Sequence, residues 1–187
     1  MSDPGSTVPA GTRLLTPDPE GIAAAAAILR EGRLVAFPTE TVYGLGGDAT
    51  DPAAVAAIYA AKARPRFNPL IAHVHDLESA EREGVFADEA RRLAEAFWPG
   101  PLTLVVPAAA TIRICDLARA GLPSVALRVP ASPAARALLA AFGKPLAGPS
   151  ANRSGRVSPT RASHVLDDLG GRITAVLDSG DTPVGVE

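Results

Sequence analysis

Three stretches of this 187-residue chain concentrate hydroxyls, cations and turn-forming residues: Pro38 to Gly46, Lys62 to Leu70, and Pro149 to Thr160. The first carries Thr39 and Thr41 beside glycines, and the second sets Lys62, Arg64 and Arg66 within five positions, stiffened by Pro65 and Pro69. The third places Ser150, Asn152 and Ser158 around Gly155. Hydroxyls, turn amides and guanidinium groups are what a polyphosphate requires, because they donate hydrogen bonds and offset its charge. Lysine occurs only as Lys62 and Lys144 among 18 basic residues, which sets the cation cluster apart from background. The same cluster would also suit a solvated helix end, where the C-terminal dipole favours cations. Ser150 and Asn152 would equally suit a turn closed on its own backbone.

Arg128 falls at the end of an apolar run just before Pro130, a rigid position from which a guanidinium can meet a carboxylate in bidentate fashion or form a surface ion pair. His73 and His75 alternate with Ala72 and Val74, which puts both rings on one strand face. Without a third ligand at suitable spacing, a satisfied polar strand end accounts for them better than zinc. Gly44-Leu45-Gly46-Gly47-Asp48-Ala49 matches the dinucleotide pattern G-x-G-x-x-A, so a Rossmann oxidoreductase is a rival. Against it, Pro38 to Tyr43 intervene between strand and glycines, and no acid follows about twenty positions on. The phosphate-loop pattern is absent, and no serine-histidine-acid order or covalent nucleophile stands out. Such a residue set binds and positions; the substrate must bring its own nucleophile. Trp98 and Tyr59 read as core aromatics and His164 as an exposed helix residue.

Capping acids followed by proline at Asp18-Pro19 and Asp51-Pro52 predict helices ending at Gly32 and near Ala63, and Ser132-Pro133 starts one that closes at Gly143. Further helices are expected over 87–97 and from Ser158 to about Leu169, with strands over 33–37, 70–75, 102–106, 124–129, 146–147 and 173–177. Pro38 to Asp48 reads as a glycine-freed loop. Alternating strands and helices make a single α/β domain, with the polar loops at strand ends where open sheets bind ligands. Residues 1–12 read as a tail too poor in apolar groups to fold, leaving the domain at 13–187.

A hydrophobic fraction of 47%, a charged fraction of 20% and a net charge of -2 describe an ordinary soluble domain. A slightly acidic chain is not built to grip nucleic acid through phosphates, so any contact with tRNA or double-stranded RNA is expected to be local or weak. Cys115 stands alone, which rules out an internal disulfide and suits a reducing compartment. With neither a signal peptide nor a membrane span recognisable, the expected location is the cytoplasm, with no membrane partner.

Five ordered blocks, PTETVYGLG at 38–46, KARPRFNPL at 62–70, WPGPLTLV at 98–105, ALRVP at 126–130 and PSANRSGRVSPT at 149–160, closely resemble the YrdC-like threonylcarbamoyl-adenylate synthase family. The resemblance implies a YrdC/RibB-like fold: a twisted, mostly mixed sheet with helices packed on it, curved around a deep, positively charged cavity. It implies an L-threonylcarbamoyladenylate synthase, a nucleotidyltransferase that converts L-threonine, bicarbonate and ATP to the adenylate and pyrophosphate for tRNA threonylcarbamoyladenosine modification. Carried over by position, Lys62, Arg64, Asn68, Ser124, Ser150, Asn152 and Ser158 would hold ATP, with Lys62 and Arg64 acting in catalysis. Thr41, His73, Arg128 and the backbone at Gly148 would hold threonine. Magnesium is expected with ATP, its ligands unidentified, and no tightly bound cofactor. Downstream tRNA threonylcarbamoyl-transfer proteins would receive the product. Family members continue past Pro183-Val184-Gly185-Val186-Glu187 with a Ser-Thr pair and another strand, so this C-terminal end is expected to be truncated. An RNA-binding or ribosome-associated module on the same fold is the alternative.

Overall fold

Aspartate-proline pairs start two helices as their chemistry requires. Asp18 accepts from the amide of Gly21 at the head of α1 (Pro19–Arg30), and Asp51 accepts from that of Ala53 at the head of α2 (Pro52–Lys62). Each proline sits in the first turn, where its missing N–H costs nothing. Gly32, at φ 73°, lets the chain turn out of α1. The computed structural model describes residues 11–65 and 68–187, so residues 1–10 of the expected tail and Arg66 of the cation cluster lie outside the described residues. The packed fold reaches back to Thr12, whose buried hydroxyl donates to the carbonyl of Ile173 at 2.8 Å.

The remaining elements are β1 (Arg13–Leu15), β2 (Val35–Pro38), β3 (Tyr43–Asp48), β4 (Ile71–His73), α3 (Leu77–Glu81), α4 (Asp88–Phe97), β5 (Leu104–Pro107), β6 (Ser124–Arg128), α5 (Pro133–Phe142), β7 (Leu146–Ala147), α6 (Ala162–Leu169) and β8 (Ala175–Leu177). The strands form one mixed sheet in the order β1-β8-β2-β3-β7-β4-β6-β5. Pairing is parallel for β1 with β8, β8 with β2 and β4 with β6, and antiparallel elsewhere. One apolar cluster joins α1 and α5 to the sheet through Leu29, Val35, Phe37, Leu138 and Leu139. A second joins α2 and α6 through Ile58, Tyr43, Leu45 and Val165. Each fully buried side chain of this kind contributes about 1.5–3 kcal/mol. Among the described residues no helix is long and apolar enough to cross a membrane.

The segment expected as a loop at Pro38 to Asp48 is instead a tight connection into β3, six buried residues paired antiparallel to β2 from Tyr43 to Gly46 and to β7 at Gly47 and Asp48. Its glycines permit close packing rather than turning. A Cβ at Gly46 would lie 2.9 Å from the carbonyl oxygen of Val35, and one at Gly44 would lie 3.1 Å from Phe37. The dinucleotide rival fails for the same reason, because its glycines form the strand rather than a turn opening a helix. The last helix begins at Ala162 rather than Ser158, since the carbonyl of Pro159 is engaged by the amide of Tyr43 at 2.8 Å. β4 ends at His73; His75 lies beyond it and pairs with Asp76, which caps α3. Neither α3 nor β1 was expected from hydrophobic periodicity, being too short to show one.

Candidate active site

Two of the three chemistry-bearing stretches meet on β3, and the third joins them through the Ser150 turn. Leu45 donates its amide to the carbonyl of Pro149 at 2.6 Å, Ala151 donates to the carbonyl of Tyr43 at 2.7 Å, and Tyr43 donates to Pro159. The stretch from Pro149 to Pro159 therefore continues the pairing along β3 past the end of β7, and its turn meets the end of α2. There Lys62, 1% exposed, donates its ammonium to the carbonyls of Ser150 and Asn152, the latter at 2.5 Å. The amide of Ser154 returns a bond to the Lys62 carbonyl at 2.9 Å. Burial, reinforced by the charge on Arg64, holds the Lys62 ammonium down to about 8, against the weaker pull of Glu187 and Asp168.

α2 ends in Ala63 with φ 51° and ψ 42°, left-handed geometry that a residue with a Cβ adopts at a cost of about 1–2 kcal/mol. That turn swings Arg64 away from the helix and onto the wall of a cavity of about 320 Å³. The cavity brings together Thr41, Arg64, His73, Arg128, Gly148 and Ser150, with Leu70, Pro101, Thr103 and Glu187 among its other lining residues. Lys62 stands behind this wall, gripping the turn that carries Ser150.

Other expected positions lie elsewhere. Ser124 heads β6, four residues from Arg128 at its other end, a separation of roughly 13 Å along the strand. Asn152 spends its side-chain amide on the carbonyls of Arg153 and Arg156, at 3.1 and 2.7 Å, closing its own loop. Ser158 lines a separate surface depression with His164, Asp167 and Asp168. The backbone carbonyl of Asn68 accepts from the Tyr59 hydroxyl at 2.8 Å, bracing the segment after Arg64.

His73 departs from the satisfied strand end expected of it. The ring is 2% exposed, meets Phe37 edge to face with centroids 5.5 Å apart, and finds no hydrogen-bond partner for either nitrogen. Burial, then the charge on Arg128, holds it down to about 3; the Leu146 backbone pulls the other way without reaching hydrogen-bond geometry. His73 is thus a neutral imidazole with unspent hydrogen bonds, set in the cavity wall. Gly148 makes room for it, since a Cβ there would lie 2.7 Å from Nδ1 of His73.

The Arg128 guanidinium is already engaged. Its Nη2 donates to Oε1 of Glu40 at 2.6 Å and to Oγ1 of Thr41 at 3.0 Å, while its buried Nε has no partner. With both Nη2 protons committed, the bidentate grip expected of Arg128 is closed, and of its other donors Nε is buried while Nη1 remains for a ligand. Thr39 supports this corner, its hydroxyl donating to the carbonyl of Val42 at 2.6 Å and standing 3.0 Å from that of Thr41. Sequence reasoning missed Glu40 and Phe37 as partners in the site. A carboxylate flanked by two threonines was the one signal that could have raised Glu40. Among the described residues no group of three His, Cys, Asp or Glu side chains converges to hold a metal ion.

Comparison with known proteins places this geometry in context. A family model for Sua5, YciO and YrdC proteins, described as "Telomere recombination", matches residues 27–187. A threonylcarbamoyl-AMP synthase of Bacillus subtilis is 50% identical over 93% of this chain and 50% of its own length. One from Pyrococcus abyssi is 49% identical over 87% of this chain and 48% of its own length. The crystal structure of P. abyssi Sua5 complexed with L-threonine superposes with a TM-score of 0.91 at 45% identity, covering 94% of this chain and 53% of that one. The chain thus spans about half the length of the curated relatives it matches.

Proposed function

The chain belongs to the Sua5/YciO/YrdC family, and from that premise we propose that it is an L-threonylcarbamoyladenylate synthase. The observation that carries this reading is the shared cavity, whose lining includes Thr41, His73 and Arg128 together with Arg64 and Ser150. At about 320 Å³ it is of a size for small-molecule ligands.

In this reading the threonine amine and bicarbonate condense, with loss of water, to a carbamate. A carbamate oxygen then attacks the α-phosphorus of ATP and displaces pyrophosphate. No protein nucleophile is required. Arg128 and the neutral His73 orient the amino acid, Arg64 offsets charge on the departing phosphates, and Lys62 holds the Ser150 turn against them. Asn68, Ser124, Asn152 and Ser158, which do not line the cavity, would join the nucleotide site only through an extended ATP pose or a movement of their loops. Magnesium would arrive with the ATP phosphates, and no step here depends on a protein ligand to it. The adenylate would serve tRNA threonylcarbamoyladenosine formation through downstream transfer proteins in the cytoplasm.

The test is incubation with ATP, bicarbonate and each amino acid in turn, reading adenylate by mass and pyrophosphate release. Threonine-dependent adenylate, lost in Arg64→Ala and Lys62→Ala, supports the proposal. Salt-sensitive tRNA binding with no nucleotide turnover would replace it with the RNA-binding module.

A further inference from the structure

Glu40 is 9% exposed, and both of its carboxylate oxygens are committed: Oε1 to Nη2 of Arg128 at 2.6 Å, Oε2 to the backbone amide of Ala131 at 2.9 Å. The second bond matters as much as the first. It ties the carboxylate to main chain between β6 and α5, so the guanidinium is paired with an acid that is itself fixed. The Glu40 carbonyl accepts from the amide of Val184 at 3.1 Å, which anchors the residue from a further side. A buried arginine is costly unless paired, and this pairing also decides which of its protons stay free.

We propose that Glu40 is a positioning residue for the amino-acid end of the cavity, holding Arg128 in the pose that leaves Nη1 to receive the threonine carboxylate. This rests on the synthase reading and adds to it a residue that does not touch substrate. The opposite arrangement, in which Glu40 competes with the substrate carboxylate for Arg128 and must be displaced, makes the opposite kinetic prediction. Positioning means that removing Glu40 weakens threonine; competition means that removing it tightens threonine. The Ala131 bond favours positioning, because displacing Glu40 from Arg128 would also strain or break its tie to the backbone.

Steady-state turnover with threonine varied at saturating ATP, and ATP varied at saturating threonine, tests the idea in Glu40→Gln and Glu40→Ala. In Glu40→Ala the KM for threonine is expected to rise roughly ten- to a hundredfold, as misplacement of a substrate-positioning group does. In Glu40→Gln, which keeps one acceptor, it rises less, while the KM for ATP in both stays within about twofold of the parent. If Glu40→Ala fails to fold, Glu40→Gln carries the test, its fold checked by circular dichroism. A threonine KM that is unchanged or lowered, or an ATP KM that rises in step with it, overturns the proposal. Calorimetric titration with threonine separates this inference from the reading beneath it. A parent protein that binds threonine, with weaker binding in Glu40→Gln, sustains the positioning role even where no adenylate forms; a parent that does not bind threonine sinks both.

Discussion

The ammonium of Lys62 and the carbonyl of Asn152 lie 2.5 Å apart, joining the last turn of α2 to the Ser150 turn across 90 residues of sequence. The lysine is therefore a structural pin as well as a cation. Lys62→Ala leaves two carbonyls without their donor and is expected to lower stability by about 1–3 kcal/mol, alongside the loss of adenylate formation. Urea unfolding followed by tryptophan fluorescence measures the first effect. An unchanged unfolding midpoint would remove the pin.

Because the folded Lys62 titrates near 8 rather than 10.5, the folded chain releases this proton first as pH rises. Both states carry the charge at lower pH. Between about 8 and 10.5 its loss favours folding, while contacts that need an ammonium weaken. Thus kcat/KM for ATP is expected to fall above about pH 8, and Lys62→Arg to move that fall upward if the variant remains active. A pH profile whose alkaline limb is identical in the two proteins contradicts this.

His73 contributes the acid side. Its folded value near 3 lies below the ordinary 6.5, so the stability gained by burying a neutral ring is present above 6.5 and is lost as pH falls toward 3. Denaturant titrations at about pH 7 and about pH 4.5 are expected to differ less in His73→Gln than in the parent. An equal acid loss in both proteins would assign it to other groups.

Gly148→Ala tests the tight seat of that ring. The new Cβ would crowd Nδ1 of His73 at 2.7 Å and Phe37 at 3.1 Å, so a stability cost of about 1–3 kcal/mol and a raised KM for threonine are expected. Thermal unfolding and threonine titration read the two effects. A variant with parental values in both would show that the ring moves freely.

Glu83 supplies a contrast far from the cavity. Its carboxylate, in a residue with 0% exposure, accepts from the Arg113 side chain at 2.8 and 2.9 Å and from the amides of Arg113 and Ile114 at 2.8 and 3.2 Å. Glu83→Gln is expected to cost about 1–3 kcal/mol of stability while leaving the KM for threonine and ATP near parental values. A selective rise in either KM would draw the loop after β5 into the site.

The helices with caps were legible because each boundary is written locally, in an acid and a proline at Asp51-Pro52 or a left-handed glycine at Gly143. β3 was not, because its glycines answer to Phe37 and the Val35 backbone, neighbours that only the sheet supplies. The motif residues that meet at the cavity were legible as residue types, but not the divisions among them. Asn152 and Ser150 look equivalent in sequence; only the fold turns the amide of one back onto its own loop. Glu40 was invisible as a partner of Arg128 because the two are 88 positions apart and neither flank advertises the other.

One residue, Tyr43, accepts the Ala151 amide on its carbonyl and donates its own amide to the carbonyl of Pro159. Both ends of the Ser150 stretch are in this way hung from a common hook. Deleting one residue between Thr41 and Leu45 would shift every hanging point at once and reverse which side chains face inward. Tolerance to length change must accordingly be very uneven along this chain, generous at surface turns such as the one around Gly121 and nil across these few positions.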